Sequence, residues 1–189
     1  MELQNGISIY CRELGHGCRV FCGAHAAAPQ LLTLCANIAV ERELRLLDFG
    51  NRCDMYFAAR RLRELTMDPS AAMSNIRLQR AFTCYQAAAL LDELDITAGT
   101  PLIILDLLMP FMDESVKPKE RERLFGTVRA RLEELKTAHA VFIGVKPPAK
   151  MFAAVGIPLL NALAREFGVI ELKEAALPDT REAAQPTLF

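Results

Sequence analysis

The chain has 189 residues, 52% hydrophobic and 24% charged, which is ample material for one packed domain and excludes a disordered chain. Its 22 Lys and Arg against 23 Asp and Glu leave a formal charge of −1, which argues against autonomous tight binding of duplex DNA by bulk positive charge. No apolar run approaches the roughly 20 residues of a membrane span, and the opening Met1–Gly6 stretch lacks a basic region followed by an apolar one, so the expectation is a soluble, cytoplasmic protein with no membrane partner.

Short apolar runs alternate with amphipathic stretches along the chain, without repeats or low-complexity segments. Ile7–Arg12 and Arg19–Ala24 read as strands flanking a Gly15-His16-Gly17 hairpin turn. Pro29 suits a first helical turn and opens a helix to about Arg42. Leu44–Phe49 reads as a buried strand, and Asp54–Thr66 as a helix with Phe57, Leu62 and Leu65 inward. Asn75–Phe82 is strand-like and Tyr85–Leu94 helical. The clearest buried strand is Pro101–Asp106, a continuous branched run ending in one carboxylate. Lys119–Lys136 is an amphipathic helix with the stripe Leu124, Val128, Leu132 and Leu135. Ala140–Val145 and Phe167–Leu172 are further strands, separated by a helix near Leu159–Arg165. Strands alternating with helices, and apolar on both faces, predict an α/β fold: a doubly wound, mainly parallel sheet flanked by helices. That domain spans residues 1–174, and residues 175–189, with Pro178, Pro186 and no periodicity, read as an exposed tail.

Six cysteines (Cys11, Cys18, Cys22, Cys35, Cys53 and Cys84) contain no C-x-x-C pair. His16, Cys18, Cys22 and His25 lack the spacing of structural zinc sites, so buried free thiols are expected and no metal is assigned.

In a doubly wound sheet a phosphate would sit where the first strand meets the next helix, against free helix N–H groups. A working phosphate loop reads G-x-x-x-x-G-K-[ST]. Here the window is Gly23-Ala-His-Ala-Ala-Ala28-Pro29-Gln30, so Ala28, Pro29 and Gln30 stand at the Gly-Lys-[ST] positions. Proline also removes one N–H donor. The layout is that of a phosphate loop without its chemistry, and His25 has no evident base or nucleophile partner within it.

From this point the sequence resembles the RecA-like recombinase superfamily, nearest to its RadA-type branch, over roughly residues 5–147 and in order and spacing more than identity. The resemblance places the degenerate Walker A loop at Gly23–Gln30, and the end of the next strand at Asp48-Phe-Gly-Asn51. Asn75–Phe82 looks like the family's N-x-x-x-x-R-A strand, and Leu102–Asp106 like its Walker B strand. Ala140–Lys146 matches the strand that ends in a polar sensor. The departures are as informative: the water-activating Glu position carries Gly50, the hydroxyl position after the Walker B Asp carries Leu107, and the sensor position carries Lys146. Without a loop lysine, a magnesium hydroxyl or a general base, hydrolysis lacks charge stabilisation and nucleophile activation. The resemblance therefore implies a RecA-like fold that has lost its ATPase, a pseudo-ATPase with no cofactor.

The surviving residues keep plainer readings. Asp106 suits a hydrogen-bonded strand end better than a metal ligand. Lys146 either supplies charge at the vacant phosphate position or is a solvated strand-end lysine. The Arg60, Arg61, Arg63 cluster and the Arg121, Arg123, Arg129, Arg131 set can reach phosphates, but Glu120, Glu122, Glu133 and Glu134 cancel much of the second set and favour a solvated helix face.

The chain closes on Gln185-Pro-Thr-Leu-Phe189, similar to the Q-x-x-L-F peptide by which bacterial replication and repair proteins dock on the sliding clamp, and to the related box, Gln leading to an apolar and aromatic end, that an archaeal clamp uses. Gln185 would enter a polar notch while Leu188 and Phe189 bury in an adjacent groove. The competing expectation folds Leu188 and Phe189 back on the domain. Together these resemblances imply a non-catalytic accessory protein of DNA repair, recombination or translesion synthesis, similar in kind to the ImuA accessory proteins. It would be tethered to the clamp and associated with a RecA-like recombinase or repair polymerase, or with itself, and would meet nucleic acid only weakly or indirectly. The alternative is an ATP-binding member with an unorthodox loop, in which Asp48 and Asp106 hold magnesium and Lys146 or a neighbouring subunit replaces the lost charge. A third reading is a structural modulator of recombinase filaments to which the tail is irrelevant.

Overall fold

The computed structural model describes residues 15–172. The Ile7–Arg12 segment, the tail from residue 175 and its Gln185, Leu188 and Phe189 lie outside the described residues. In chain order the elements are β1 (Gly17–Cys22), α1 (Ala28–Glu41), β2 (Leu44–Asp48), α2 (Met55–Leu65), α3 (Pro69–Ser74), β3 (Ile76–Arg80), α4 (Cys84–Asp92), β4 (Leu102–Leu105), α5 (Pro118–Leu135), β5 (Ala140–Val145), α6 (Ala153–Phe167) and β6 (Val169–Glu171). Short 3-10 turns lie at Ala24–Ala27, Met109–Met112 and Lys150–Phe152.

All six strands are parallel, in the order β3-β2-β4-β5-β1-β6. In the dinucleotide-binding order the first strand neighbours the second. Here β4 and β5 lie between β1 and β2, so this is a different doubly wound α/β sheet. Alternation along each strand divides the core into two layers. Leu102 and Ile104 of β4 pack with Leu91 of α4, Leu124, Val128 and Leu132 of α5 and Leu163 of α6. Ile103 and Leu105 face the other way, onto Leu31, Leu34 and Ile38 of α1 and Leu62 of α2. Each such fully buried aliphatic side chain contributes about 1.5–3 kcal/mol relative to exposure, which is why the central strands carry apolar residues on both faces.

Helix starts follow local chemistry. Asp54, Asp68 and Thr83 accept hydrogen bonds from the backbone N–H of Phe57 (3.0 Å), Ala71 (2.9 Å) and Gln86 (3.2 Å), capping α2, α3 and α4. The Asp68-Pro69 pair, an N-cap followed by a first-turn proline, makes the short α3 that periodicity does not reveal. Helix α6 begins at Ala153, before the expected Leu159, because it runs through Pro158, and Gly156 lets its first turns press on Pro148.

Gly17 opens β1, which is flanked by two parallel partners, β5 and β6, and the expected hairpin's first strand lies outside the described residues. Three expectations need correction. Leu65 is 38% exposed, whereas Leu62 is buried as expected, with Ala58, and Phe57 packs partly buried against the same layer. Arg121 does not lie on a solvated face: it is buried and donates to the carbonyls of Asp113 (2.7 Å) and Val116 (3.0 Å). Arg131 likewise donates to the carbonyls of Leu91 (3.2 Å) and Leu94 (3.0 Å), fastening α5 to the end of α4. The Leu91 carbonyl also accepts from Leu94 N–H (3.3 Å), so the guanidinium adds a second donor at the end of the helix.

Gly144 in the middle of β5 has no room for a side chain: a Cβ would overlap the Ala26 carbonyl oxygen and approach Leu31 Cδ1 to 2.8 Å. Gly126, inside α5, has nothing within 4 Å of a would-be Cβ. Gly144→Ala is expected to destabilise the protein by about 2–3 kcal/mol through overpacking. Gly126→Ala is expected to stabilise it by about 0.5–1 kcal/mol. Urea unfolding of the two variants checks the contrast.

Candidate functional site

The strand order brings the sequence-predicted residues Gly23, Asp48, Asp106 and Lys146 to one end of the sheet, because each follows or closes a parallel strand: β1, β2, β4 and β5. In open α/β sheets this carboxyl edge is where ligands bind. Backbone strain gathers here as well. Among the described residues, the non-glycine positions with positive φ are His25, Ala26, Ala27, Asn51 and Asp106, all just beyond the ends of β1, β2 and β4. A left-handed residue costs of order 1–2 kcal/mol, so three in a row after β1 need compensation. It comes from packing: Ala26 and Ala27 are fully buried, and the Ala26 carbonyl lies where a side chain at 144 would stand.

Three of the loop's amides have backbone partners. Gly23 N–H donates to the Val145 carbonyl (3.1 Å), Ala26 N–H to the Gly23 carbonyl (3.1 Å) and Ala28 N–H to the His25 carbonyl. Pro29 and Gln30 lie exposed on the first turn of α1, where Pro29 has no N–H to offer. Leu172 closes the other side: its N–H donates to the Cys22 carbonyl (2.9 Å), and its Cβ would lie 3.2 Å from a Cβ on Gly23. The loop has the position of a phosphate cradle, but the amides of Gly23, Ala26 and Ala28 are already bonded to backbone carbonyls.

Two buried carboxylates complete the site, and each is held by an arginine. Asp48, fully buried at the end of β2, accepts from the N–H groups of Arg52 (2.8 Å) and Cys53 (3.1 Å) and pairs with Arg80 Nε (3.3 Å). Asp106, 2% exposed, accepts from Arg52 Nε at 2.9 Å. Arg52 therefore serves both acids, one through its backbone and one through its guanidinium. A desolvated carboxylate needs such a counter-charge, since an unpaired one costs several kcal/mol. Gly50 sits against this pair: a Cβ there would come within 2.7 Å of Asp106 Cγ, so no side chain, acidic or otherwise, fits at 50 while Asp106 keeps its place. Asp48 and Asp106 thus present themselves as ion-paired strand ends. Leu107, where the resemblance expects a hydroxyl, is buried.

Beside Asp106 and Arg52 is a cavity of about 140 Å³, also lined by Lys146, Met109, Met112 and Phe152. That is below the roughly 300–1,000 Å³ of typical small-molecule sites. A larger open cleft of about 620 Å³ runs past Gly23, His25 and Lys146, but Glu171 lines it too, which disfavours an anionic ligand. Lys146 is exposed and makes no ion pair among the described residues.

No cluster of three or more His, Cys, Asp or Glu able to hold a metal occurs among the described residues. Their five cysteines are free thiols. Burial pushes the Cys18 thiol up to about 12 and, with Asp48 nearby, the Cys53 thiol up to about 11. Sequence reasoning missed Arg52 and Arg80. The available signal was spacing, since Arg52 follows Asp48 by one turn and Arg80 ends the strand beside it. No protein-family model matches the sequence, and no curated protein matches it.

Removing one partner of a buried pair strands the other. Arg52→Ala is expected to destabilise the protein by about 2–4 kcal/mol. Arg61→Ala, which breaks an exposed pair with Glu64, is expected to change stability by less than about 0.5 kcal/mol. Thermal unfolding in parallel separates the two cases. With thiols held above their ordinary range, Cys18 and Cys53 are expected to stay unmodified by iodoacetamide at pH 8 in the native protein and to react in urea, as peptide mass mapping would record.

Proposed function

We propose that this protein is a non-catalytic RecA-like accessory factor of DNA repair, recombination or translesion synthesis, tethered to the sliding clamp by Gln185, Leu188 and Phe189. The observation that carries the loss of catalysis is the pairing of both strand-end carboxylates with arginines: Asp48 with Arg80 and Asp106 with Arg52. In a nucleotide-hydrolysing site of this layout the carboxylates serve magnesium. Here guanidinium groups occupy that role, so the positive charge is built in and needs no metal to supply it. The bonded amides of Gly23, Ala26 and Ala28 and the bare Gly50 support the same conclusion. The RecA-like assignment draws support from the placement of β5 between β1 and β4, which sets the loop, sensor and Walker B positions side by side. The clamp assignment rests on the Gln-Pro-Thr-Leu-Phe sequence. A partner recombinase or repair polymerase, or a second copy of the chain, completes the reading by analogy of fold.

The rival reading, an ATP-binding domain, draws on two features. The start of α1 lacks a side-chain cap, and Lys146 shares a cleft with Gly23, Ala24 and His25 without an ion pair among the described residues. Calorimetric titration with ATP and Mg²⁺ decides between them: no heat of binding is expected up to millimolar nucleotide, and micromolar affinity would favour the rival. The tether is tested by pull-down on an immobilised bacterial sliding clamp. The intact chain is expected to be retained, while the Gln185→Ala, Leu188→Ala, Phe189→Ala variant is lost. Equal recovery of both would remove the clamp from this account.

A further inference from the structure

Next to the closed site lies an apolar groove of about 420 Å³, walled by Phe82, Met109, Met112 and Phe152, with Asp113 and Glu114 as its charged lining. Large apolar side chains stand open to solvent along it: Phe82 is 65% and Met109 48% exposed. Single exposed apolar residues need no explanation, but a contiguous group marks an interaction surface.

The groove is rigidly built. In the turn Met109–Met112, Pro110 and Phe111 point inward, and Phe111 meets Phe125 edge-on at 5.3 Å between ring centres, which leaves Met109 facing out. Phe82 is fixed through its backbone: its N–H donates to Gln86 Oε1 (2.9 Å), while Gln86 N–H donates to the Thr83 cap. The acidic corner is fixed from below by buried Arg121, which donates to the Asp113 and Val116 carbonyls. Ser115 donates through both N–H (2.9 Å) and Oγ (2.7 Å) to a single oxygen of Asp113, Oδ1. Among the described residues Oδ2 of Asp113 accepts no such bond, and Glu114 makes no ion pair. Methionine walls adapt to side chains of differing shape.

We propose that this groove is the docking site for a partner protein's amphipathic helix, which seats apolar side chains between Phe82, Met109 and Phe152 and sets a flanking Lys or Arg on Asp113 and Glu114. The choice of occupant follows from charge: the ionised groups lining the groove are both carboxylates. The inference rests on the chain being a binding module, but its test uses neither clamp nor nucleotide, so either reading can fail without the other.

The test uses the full chain with ¹³C-methyl methionine and two fluorescein-labelled amphipathic helices, one of leucine and lysine, the other of leucine and glutamate. The lysine helix is expected to shift the Met109 and Met112 methyl signals and leave Met67, which is fully exposed but distant in the chain, unmoved. By anisotropy, Phe82→Ala with Met109→Ala is expected to weaken binding about fivefold or more. Asp113→Asn with Glu114→Gln is expected to weaken it about threefold and to flatten its salt dependence. These are surface changes, and unchanged circular dichroism would verify the fold. Equal binding of both helices, or undiminished affinity in the Phe82/Met109 variant, would overturn the proposal. So would Met109 signals that already shift with protein concentration, which assigns the groove to a second copy. Signals that move on Phe189→Ala without any helix would assign it to the chain's own tail and overturn it likewise.

Discussion

Two carboxylates in the dry end of a parallel sheet must be neutralised, and in this protein arginines do it. Asp48 and Asp106 close adjacent strands β2 and β4, where the surrounding side chains exclude water. Burying a lone carboxylate costs several kcal/mol, so the stability of this edge depends on Arg52 and Arg80 being in place. Arg52 links the two acids, its amide on Asp48 and its guanidinium on Asp106. That arrangement dictates much else: Asp106 holds a left-handed backbone, Gly50 must stay without a side chain, and the wall of the small neighbouring cavity carries a neutral pair.

The loop after β1 tells a parallel story. Three consecutive left-handed residues in a chain of alanines and histidine are unfavourable locally, and they persist because the sheet over-determines them. Strain of this kind gathers where a fold has or had a functional reason to shape its backbone. Here the strained segment is packed against Gly144, and the amides of Gly23, Ala26 and Ala28 are bonded to backbone carbonyls. The proposed binding role draws its support from this packing and from the ion-paired acids.

Much of the fold was legible because it rests on local pattern. The branched run at Leu102–Leu105 has nothing polar to offer water, and the Leu124, Val128, Leu132, Leu135 stripe defines one helix face. What remained hidden depends on residues distant in sequence. Burial of Arg121 and the reach of Arg131 to the end of α4 follow from bonds to backbone carbonyls brought near by the fold, which no periodicity reveals. The outward turn of Leu65 depends on how α2 sits against α1. Within the site, spacing alone located Asp48, Asp106 and Gly23. The partners of the two acids required the order of strands, because β3 must lie beside β2 before Arg80 can meet Asp48.

The central claim is that guanidinium groups and a collapsed loop have taken the place of metal and triphosphate. Its most direct test is a crystal structure grown with millimolar Mg²⁺ and a non-hydrolysable ATP analogue. The account predicts an edge unchanged by either, with Arg52 on Asp106, Arg80 on Asp48 and the Ala26 carbonyl against Gly144. Phosphates seated along residues 24–31, with a metal ion on Asp106 and Arg52 displaced, would contradict it.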